Sequence, residues 1–581
     1  MYLEKINGPD DVKKLSLEEL TLLAKEMREA LLKRLSIHGG HFGPNFGIVE
    51  ATIALHYVFY SPEDKIVFDV SHQSYPHKML TGRKDAYLCE EKYDDVSGYS
   101  CPAESEHDFF EIGHTSTSIS LASGLAKARD LTGGKENIIA VIGDGSLSGG
   151  EALEGLDFAG EMQSNFIIVV NDNDMSIAEN HGGIYKNLKH LRETEGKSEN
   201  NVFKAMGLDY TFVKDGNDIA ALIHAFEGVK DTDKPVVVHI VTQKGKGYQP
   251  AQEDKERWHW SMPFDIETGE VTVKSEGGED YGEITAAYLL DKMKKDPAVV
   301  GITSATPAVF GFIKENREKA GKQFIDVGIA EEHAVAMASG IAKNGGKPVY
   351  GVYSTFLQRT YDQLSQDVCI NSSAVTILVF EASVWGMNDI THLGIYDIPM
   401  VSNIPNMVYL APTCREEYLS MLDWAVEQTQ YPVAIRVPVN GVISKGNTVR
   451  ADYSKLNQYE VEKQGKDVAV IALGDFYQIG EQVAEKLEAT LINPLYITGV
   501  DTELLESLKE NHHTVITLED GILDGGFGEK ITRFYGDSDM KVLNYGLKKE
   551  FLDRYHAGEI MKENHLTPEQ IIEDIKKKRN V

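Results

Sequence analysis

Ile138-Ile139-Ala140-Val141-Ile142-Gly143-Asp144-Gly145 and, further on, Phe166-Ile167-Ile168-Val169-Val170-Asn171-Asp172-Asn173 decide the fold. Each opens as a short, β-branched apolar run, the pattern of a strand buried on both faces of a parallel sheet. Between them, Gly150 to Met162 spaces Ala152, Leu153, Leu156 and Ala159 as a helix does. The stretch is therefore a βαβ unit, and both polar tips fall at carboxyl ends of strands, where open α/β sheets bind ligands. Asp144 and Asn173 offer a hard cation one carboxylate and one amide oxygen there. Two protein oxygens plus a phosphate suit Mg²⁺, which seldom gets a full protein cage. The plain alternative is a glycine turn and an asparagine-rich loop that hold nothing.

Outward from this unit the same alternation repeats. Residues 16–35 read as an amphipathic helix and 48–59 as another, followed by a strand over Ile66–Val70. A glycine-rich loop spans Gly39 to Gly47, and a second loop, Gly113 to Ser118, opens a helix through Arg129. Residues 180–205 are polar and are expected to be mobile; Pro235–Thr242 is a strand, and 265–282 a linker. Beyond it, strands at 324–327, 349–353 and 375–380 alternate with helices at 331–343 and 356–370. A last block has strands at 468–473, 514–518 and 541–543, with helices at 478–489 and 569–577. These blocks predict an α/β protein of three doubly wound, mainly parallel-sheet domains, over 1–270, 280–445 and 458–581.

The 581 residues carry 58 basic and 90 acidic side chains, a net charge of −32, which argues against nucleic acid or an anionic membrane as partner. A phosphorylated substrate would need a local positive site inside that repelling field. Cys89, Cys101, Cys369 and Cys414 are far apart and make no metal or redox spacing, so they read as reduced thiols. The N-terminus is charged from Glu4 and lacks a signal-peptide core, and no apolar run reaches membrane-spanning length. A cytoplasmic protein is expected.

Several loops, taken together and in order over residues 36–445, resemble the 1-deoxy-D-xylulose-5-phosphate synthase family, relatives of transketolase. They are Gly39-Gly40-His41, His72-Gln73 with Tyr75-Pro76-His77-Lys78, Gly113-His114 with Ser116-Thr117-Ser118, and the Gly-Asp-Gly and Asn-Asp-Asn tips. Lys244-Gly245-Lys246-Gly247-Tyr248, Ile329-Ala330-Glu331 with His333-Ala334-Val335, and Tyr353 to Arg359 complete the set. A weaker continuation follows at Thr517–Asp520 and Gly525-Gly526.

The resemblance implies a thiamine diphosphate enzyme with Mg²⁺, acting as a homodimer, with diphosphate-binding, pyrimidine-binding and C-terminal domains in that order. Asp144, Asn173 and the Met175 carbonyl would hold the ion. Gly113, His114, Thr115, Gly145, Ser146, Lys244 and Tyr248 fall where the family meets the diphosphate or the thiazolium. Glu331 matches the glutamate that hydrogen-bonds the aminopyrimidine, so burial should raise its pKa. Its plain alternative is a helix N-terminal carboxylate. Phe356 matches the aromatic under the pyrimidine, or is a core phenylalanine. His41, His72, His114, His259 and His392 resemble active-site histidines, with structural histidines as the alternative. Tyr353, Arg359 and Arg436 stand at the substrate end. The implied reaction joins pyruvate to D-glyceraldehyde 3-phosphate with loss of CO₂, giving a precursor of isoprenoids, thiamine and pyridoxal.

The departures are at the acceptor. Where the family places two arginines for the acceptor phosphate, this chain has Glu381 and Val439. The family's aspartate before the Thr-His pair aligns with Asn388, unless Asp389 takes its place. Three readings follow: the synthase itself, a paralogue joining its donor to another, unphosphorylated aldehyde, and a non-catalytic subunit. Retention of Glu331, Asp144 and Asn173 together speaks against the last.

Overall fold

The computed structural model describes residues 1–273, 278–385, 389–446 and 449–579. Internal contacts divide the chain into two compact units, Met1–Glu276 with Gly328–Ala330, and Gly277–Val327 with Glu331–Val581.

The first unit is built on a five-stranded parallel sheet. Its strands are β1 (Lys65–Phe68), β2 (Ile138–Gly143), β3 (Phe166–Asp172), β4 (Asp209–Val213) and β5 (Pro235–Val241), in the order β1-β2-β3-β5-β4. Its helices are α1 (Leu17–His38), α2 (Gly43–Gly47), α3 (Val49–Val58), α4 (Tyr75–Lys78), α5 (Ser118–Thr132), α6 (Gly150–Glu161), α7 (Gly183–Glu193), α8 (Val202–Ala205) and α9 (Ile219–Val229). Successive side chains of a strand point to opposite faces, so the apolar runs fill two cores. Ile139, Val141, Ile167 and Val169 meet α1, α3 and α9. Ile138, Ala140, Ile142, Ile168 and Val170 meet α5, α6 and α7. Ser16 starts α1 with a capping box: its hydroxyl accepts the Glu19 N–H, and Glu19 accepts the Ser16 N–H at 2.8 Å.

The segment 180–205, expected to be mobile, instead carries α7 and α8. Tyr185, Leu188 and Leu191 form a buried stripe three residues apart among polar neighbours, and low overall hydrophobicity concealed it.

The second unit holds two sheets. The first has six parallel strands, β6 (Val299–Thr303), β7 (Phe324–Asp326), β8 (Lys347–Tyr353), β9 (Thr376–Phe380), β10 (Val408–Leu410) and β11 (Val433–Arg436), in the order β10-β11-β9-β8-β6-β7. Val349, Leu378, Val433 and Ile435 pack on α10 (Tyr281–Lys295) and α12 (Arg415–Glu427). Tyr350, Val352, Ile377 and Val379 pack on α11 (Glu331–Lys343). That second core continues into the other sheet through Ala469, Ile471 and Val515.

The other sheet runs β12-β14-β13-β15-β16, from β12 (Glu460–Lys463), β13 (Asp467–Ala472), β14 (Thr490–Asn493), β15 (His512–Ile522) and β16 (Lys541–Leu547). Only β12 is antiparallel to its neighbour. Helices α13 (Tyr477–Leu487) and α14 (Pro568–Arg579) cover its far face.

The single helix expected over 356–370 is broken. A turn of α-helix at Ser354–Leu357 passes through a 3₁₀ turn, Gln358–Thr360, and a short α stretch into a π-helical stretch, Leu364–Cys369. The Thr360 hydroxyl donates to the Leu357 carbonyl at 2.7 Å, which tightens that turn. The expected linker begins as a turn, in which the Asp265 carboxylate accepts the N–H groups of Glu267 and Thr268. Among the described residues no helix is long and apolar enough to cross a membrane.

Candidate active site

In the first unit the predicted metal ligands meet at the carboxyl ends of β2 and β3. Asp144 is 1% exposed. Its Oδ2 accepts from Asn180 Nδ2 at 2.7 Å and its Oδ1 from the Asn173 N–H at 3.4 Å. Burial, and then the nearby Asp172 carboxylate, push the Asp144 carboxyl well above the usual range. Asn173 Oδ1 and Asn180 Oδ1 are buried without a hydrogen-bond partner. An anionic oxygen beside unsatisfied amide oxygens is a donor set that a hard cation completes, so these residues fit Mg²⁺. Asn180 was not anticipated; only its position on a second loop brings it to Asp144.

Asp172, between the two asparagines, faces the other way. Arg192 of α7 donates from one nitrogen to both its oxygens at 2.8 Å, and His239 of β5 bonds it at 2.9 Å. A carboxylate only accepts, so His239 carries its proton on Nε2, and its Nδ1 accepts from the Tyr210 hydroxyl at 2.8 Å. Asp172, Arg192 and His239 thus orient the metal loop from behind. No motif marks them, because Arg192 lies in the segment that looked irregular.

The neighbouring loops are held by main-chain bonds. Asp69, fully buried after β1, accepts the N–H groups of Ser116 (2.9 Å) and Ser118 (3.0 Å), which fixes the loop of Gly113, His114 and Thr115. The Gly145 carbonyl accepts from Tyr185 at 3.0 Å, and the Ser146 carbonyl from Ser116 at 2.8 Å. Met175 follows Asp174 on the metal loop and is partly buried. Lys244, 2% exposed, donates to the Ser176 carbonyl on that loop at 2.6 Å and reaches His259 Nδ1 at 3.1 Å. Burial draws the Lys244 ammonium down to about 7 and, before any charge, draws His259 well below the usual imidazole range. With Lys244 donating, His259 Nδ1 is the bare nitrogen and Nε2 bears the proton.

His41, His72 and His259 come together: ring centroids lie 5.1 Å apart for His41–His72, 5.8 Å for His41–His259 and 5.3 Å for His72–His259. The glycine-rich loop makes this approach possible. At Gly40 (φ +128°) a Cβ would stand 2.9 Å from the Tyr75 hydroxyl, and at Gly43 it would stand 2.9 Å from the Trp258 carbonyl. Tyr248, placed at the cofactor by resemblance, is buried among Phe42, Trp258 and Phe264, and its hydroxyl is engaged by the Ile266 carbonyl at 3.0 Å. This bond secures the loop after β5.

In the second unit Glu331 is the first residue of α11 and is 3% exposed. Its Oε2 is buried without a hydrogen bond, and the nearest cation, Arg359, stands 3.9 Å away. Burial lifts the Glu331 carboxyl to about 7. A buried carboxyl with one oxygen left without a hydrogen bond fits a ring nitrogen.

Phe356 meets Tyr353 and His392 edge to face, at 5.5 and 5.6 Å. His392 Nδ1 lies 3.2 Å from Asp389 and 2.8 Å from the Thr391 hydroxyl. Asp389 thus stands beside the histidine; Asn388 lies outside the described residues.

The acceptor end differs from expectation. Arg436, named as a substrate contact, is 3% exposed and lies between Asp397 (2.7 Å) and Asp520 (2.5 Å). Both carboxylates would be left uncompensated if it turned away, so it belongs to the core. Glu381 has φ +56°, its Oε2 is buried without a partner, and burial raises it to about 7. The turn at Val439 is held by Asp475, which accepts the Val439 N–H at 3.2 Å and Asn440 Nδ2 at 3.1 Å.

Transketolase profiles match along the chain: the thiamine diphosphate binding domain over residues 119–297, the pyrimidine binding domain over 280–442 and the C-terminal domain over 457–571. These define the class, a transketolase-type α/β chain. Within it, the profile of 1-deoxy-D-xylulose-5-phosphate synthase matches residues 3–200. The synthase of Shouchella clausii is 38% identical, with 99% of this chain and 98% of the relative covered. That of Clostridium beijerinckii is 37% identical (98% and 98%), and that of Clostridium acetobutylicum 38% (95% and 95%). The chain belongs to the 1-deoxy-D-xylulose-5-phosphate synthase family.

Proposed function

We propose that the protein condenses pyruvate with D-glyceraldehyde 3-phosphate, with loss of CO₂, to 1-deoxy-D-xylulose 5-phosphate, using thiamine diphosphate and Mg²⁺. The observation that carries the chemistry is Glu331 Oε2, an unpartnered buried carboxyl oxygen whose proton is held to about 7. The full-length likeness to the synthases supports the choice of reaction. When bound, thiamine diphosphate supplies a carbon nucleophile and an electron sink for decarboxylation. In this reading Asp144, Asn173 and the Met175 carbonyl hold the cation. The loops of Gly113–Thr115 and Gly145-Ser146, with Lys244, line the diphosphate end, and Phe356 lies under the pyrimidine.

Glu331 holds a proton at Oε2 and shares it with the pyrimidine ring. His259 offers an Nε2–H, and with His41, His72, His114 and His392 it binds substrate oxygens and moves protons to them. In this reading Arg359 and Tyr353 meet the acceptor. We also propose a homodimer in the cytoplasm, on the family resemblance and the four free cysteines.

In a second reading, which Glu381 raises and the full-length likeness to the synthases does not favour, the acceptor presents a hydroxyl where the phosphate is expected. The test is product analysis by NMR after incubation with ¹³C-pyruvate and either aldehyde. 1-Deoxy-D-xylulose 5-phosphate from the phosphorylated aldehyde is expected. A product formed only from D-glyceraldehyde would overturn the acceptor and leave the donor reading standing.

A further inference from the structure

Asn45, in the middle of α2, is fully buried. Its Nδ2 donates to the His41 carbonyl and to the His72 carbonyl, both at 2.8 Å, while its Oδ1 accepts the Tyr75 N–H at 3.0 Å. Two carbonyls demand the amide nitrogen and one N–H demands the oxygen, so the partners fix the amide's orientation. One side chain thereby ties together two histidine loops distant in sequence. The third histidine is joined to the same turn by main-chain bonds: the Phe42 N–H donates to the His259 carbonyl at 3.1 Å and the Gly43 N–H to the Trp258 carbonyl at 2.8 Å.

We propose that Asn45 is a positioning residue for the reaction, setting the spacing of His41 and His72 so that their rings meet each other and His259 as one group. The proposal rests on reading these histidines as substrate-facing. Asn45 itself points into its own turn and touches no reacting atom. A residue that merely filled space would be replaceable by one of equal volume. Asn45 is not, because its three bonds use both ends of an amide, and losing them frees two loops at once.

The test uses the full-length holoenzyme with Asn45→Asp, which keeps the shape and the Tyr75 acceptor but loses both donors, and Asn45→Ser as a milder variant. Folding by near-ultraviolet circular dichroism, thiamine diphosphate affinity, kcat, KM and the pH profile of kcat/KM are read together. Folded variants that bind cofactor like the unaltered protein are expected, with kcat/KM for pyruvate lowered about 10–100-fold, as misplaced groups cost. The pH profile of kcat/KM should shift with the displaced rings. Unaltered kcat/KM and profile, or a loss that only follows cofactor occupancy, overturns the proposal. So does failure of both variants to fold, which would make Asn45 a residue of the fold alone. If the unaltered protein shows no pyruvate turnover, the functional reading falls first and the positioning role with it.

Discussion

At the residue scale Glu331 gathers the proposed chemistry, because its Oε2 is buried without a hydrogen bond and the Arg359 guanidinium stands 3.9 Å away. A buried carboxyl that is harder to ionise stabilises the fold below its unfolded pKa, and the contribution fades as pH rises through the folded value. For Glu331 that window runs from the ordinary 4.5 to about 7. Urea unfolding of cofactor-free Glu331→Gln should match the unaltered protein at about pH 4.5 and exceed it by on the order of 2 kcal/mol at about pH 8. Equal midpoints across that range would show that Glu331 is solvated. The same variant should lower kcat by about 10²–10⁴-fold, the usual worth of a positioned proton. Arg436 makes the opposite case. Its charge is fully used inside the second unit, so Arg436→Leu should cost about 3–5 kcal/mol in the denaturation midpoint through the stranded Asp397 and Asp520.

At the scale of elements, the strand ends carry the function and the strand interiors made it legible. β2, β3 and α6 lie where their periodicity put them, and α11 runs over the residues read from sequence, because β-branched runs and a 3.6-residue stripe are local signals. Helix α7 was hidden because only three of its side chains are buried, yet it delivers Arg192 to Asp172. Asn180 and Arg192 were illegible for the same reason: each acts through a residue remote in sequence, Asp144 for Asn180 and Asp172 for Arg192 of α7, a contact that no short motif encodes. Arg192→Leu leaves the metal ligands untouched but frees Asp172. It should weaken Mg²⁺-dependent thiamine diphosphate binding, read by fluorescence titration, about 10–100-fold. Undiminished affinity would mean that β3 alone sets the loop. The packing of the Tyr248 ring on Phe42, Trp258 and Phe264 was likewise not legible, since the motif names the residue and not its neighbours.

Over the whole molecule, the net charge of −32 opposes two anionic substrates. Screening should help them: raising salt from about 10 mM to about 150 mM shortens the Debye length from about 30 Å to about 8 Å. The kcat/KM for D-glyceraldehyde 3-phosphate should therefore rise over that range, whereas steering by a positive mouth would make it fall. The fold class was readable because its strands are contiguous apolar runs, and the residues proposed to face the cofactor could be named because they lie in contiguous loops at strand ends. The acceptor end was readable only as a departure, since the position of Arg436 depends on Asp397 and Asp520, both remote from it in sequence. The most direct measurement is the initial rate of CO₂ release from pyruvate, with and without thiamine diphosphate and Mg²⁺, in the presence and absence of D-glyceraldehyde 3-phosphate. Release that requires both cofactors and is stimulated by the aldehyde is the predicted result. No release from pyruvate under any of these conditions would contradict the account.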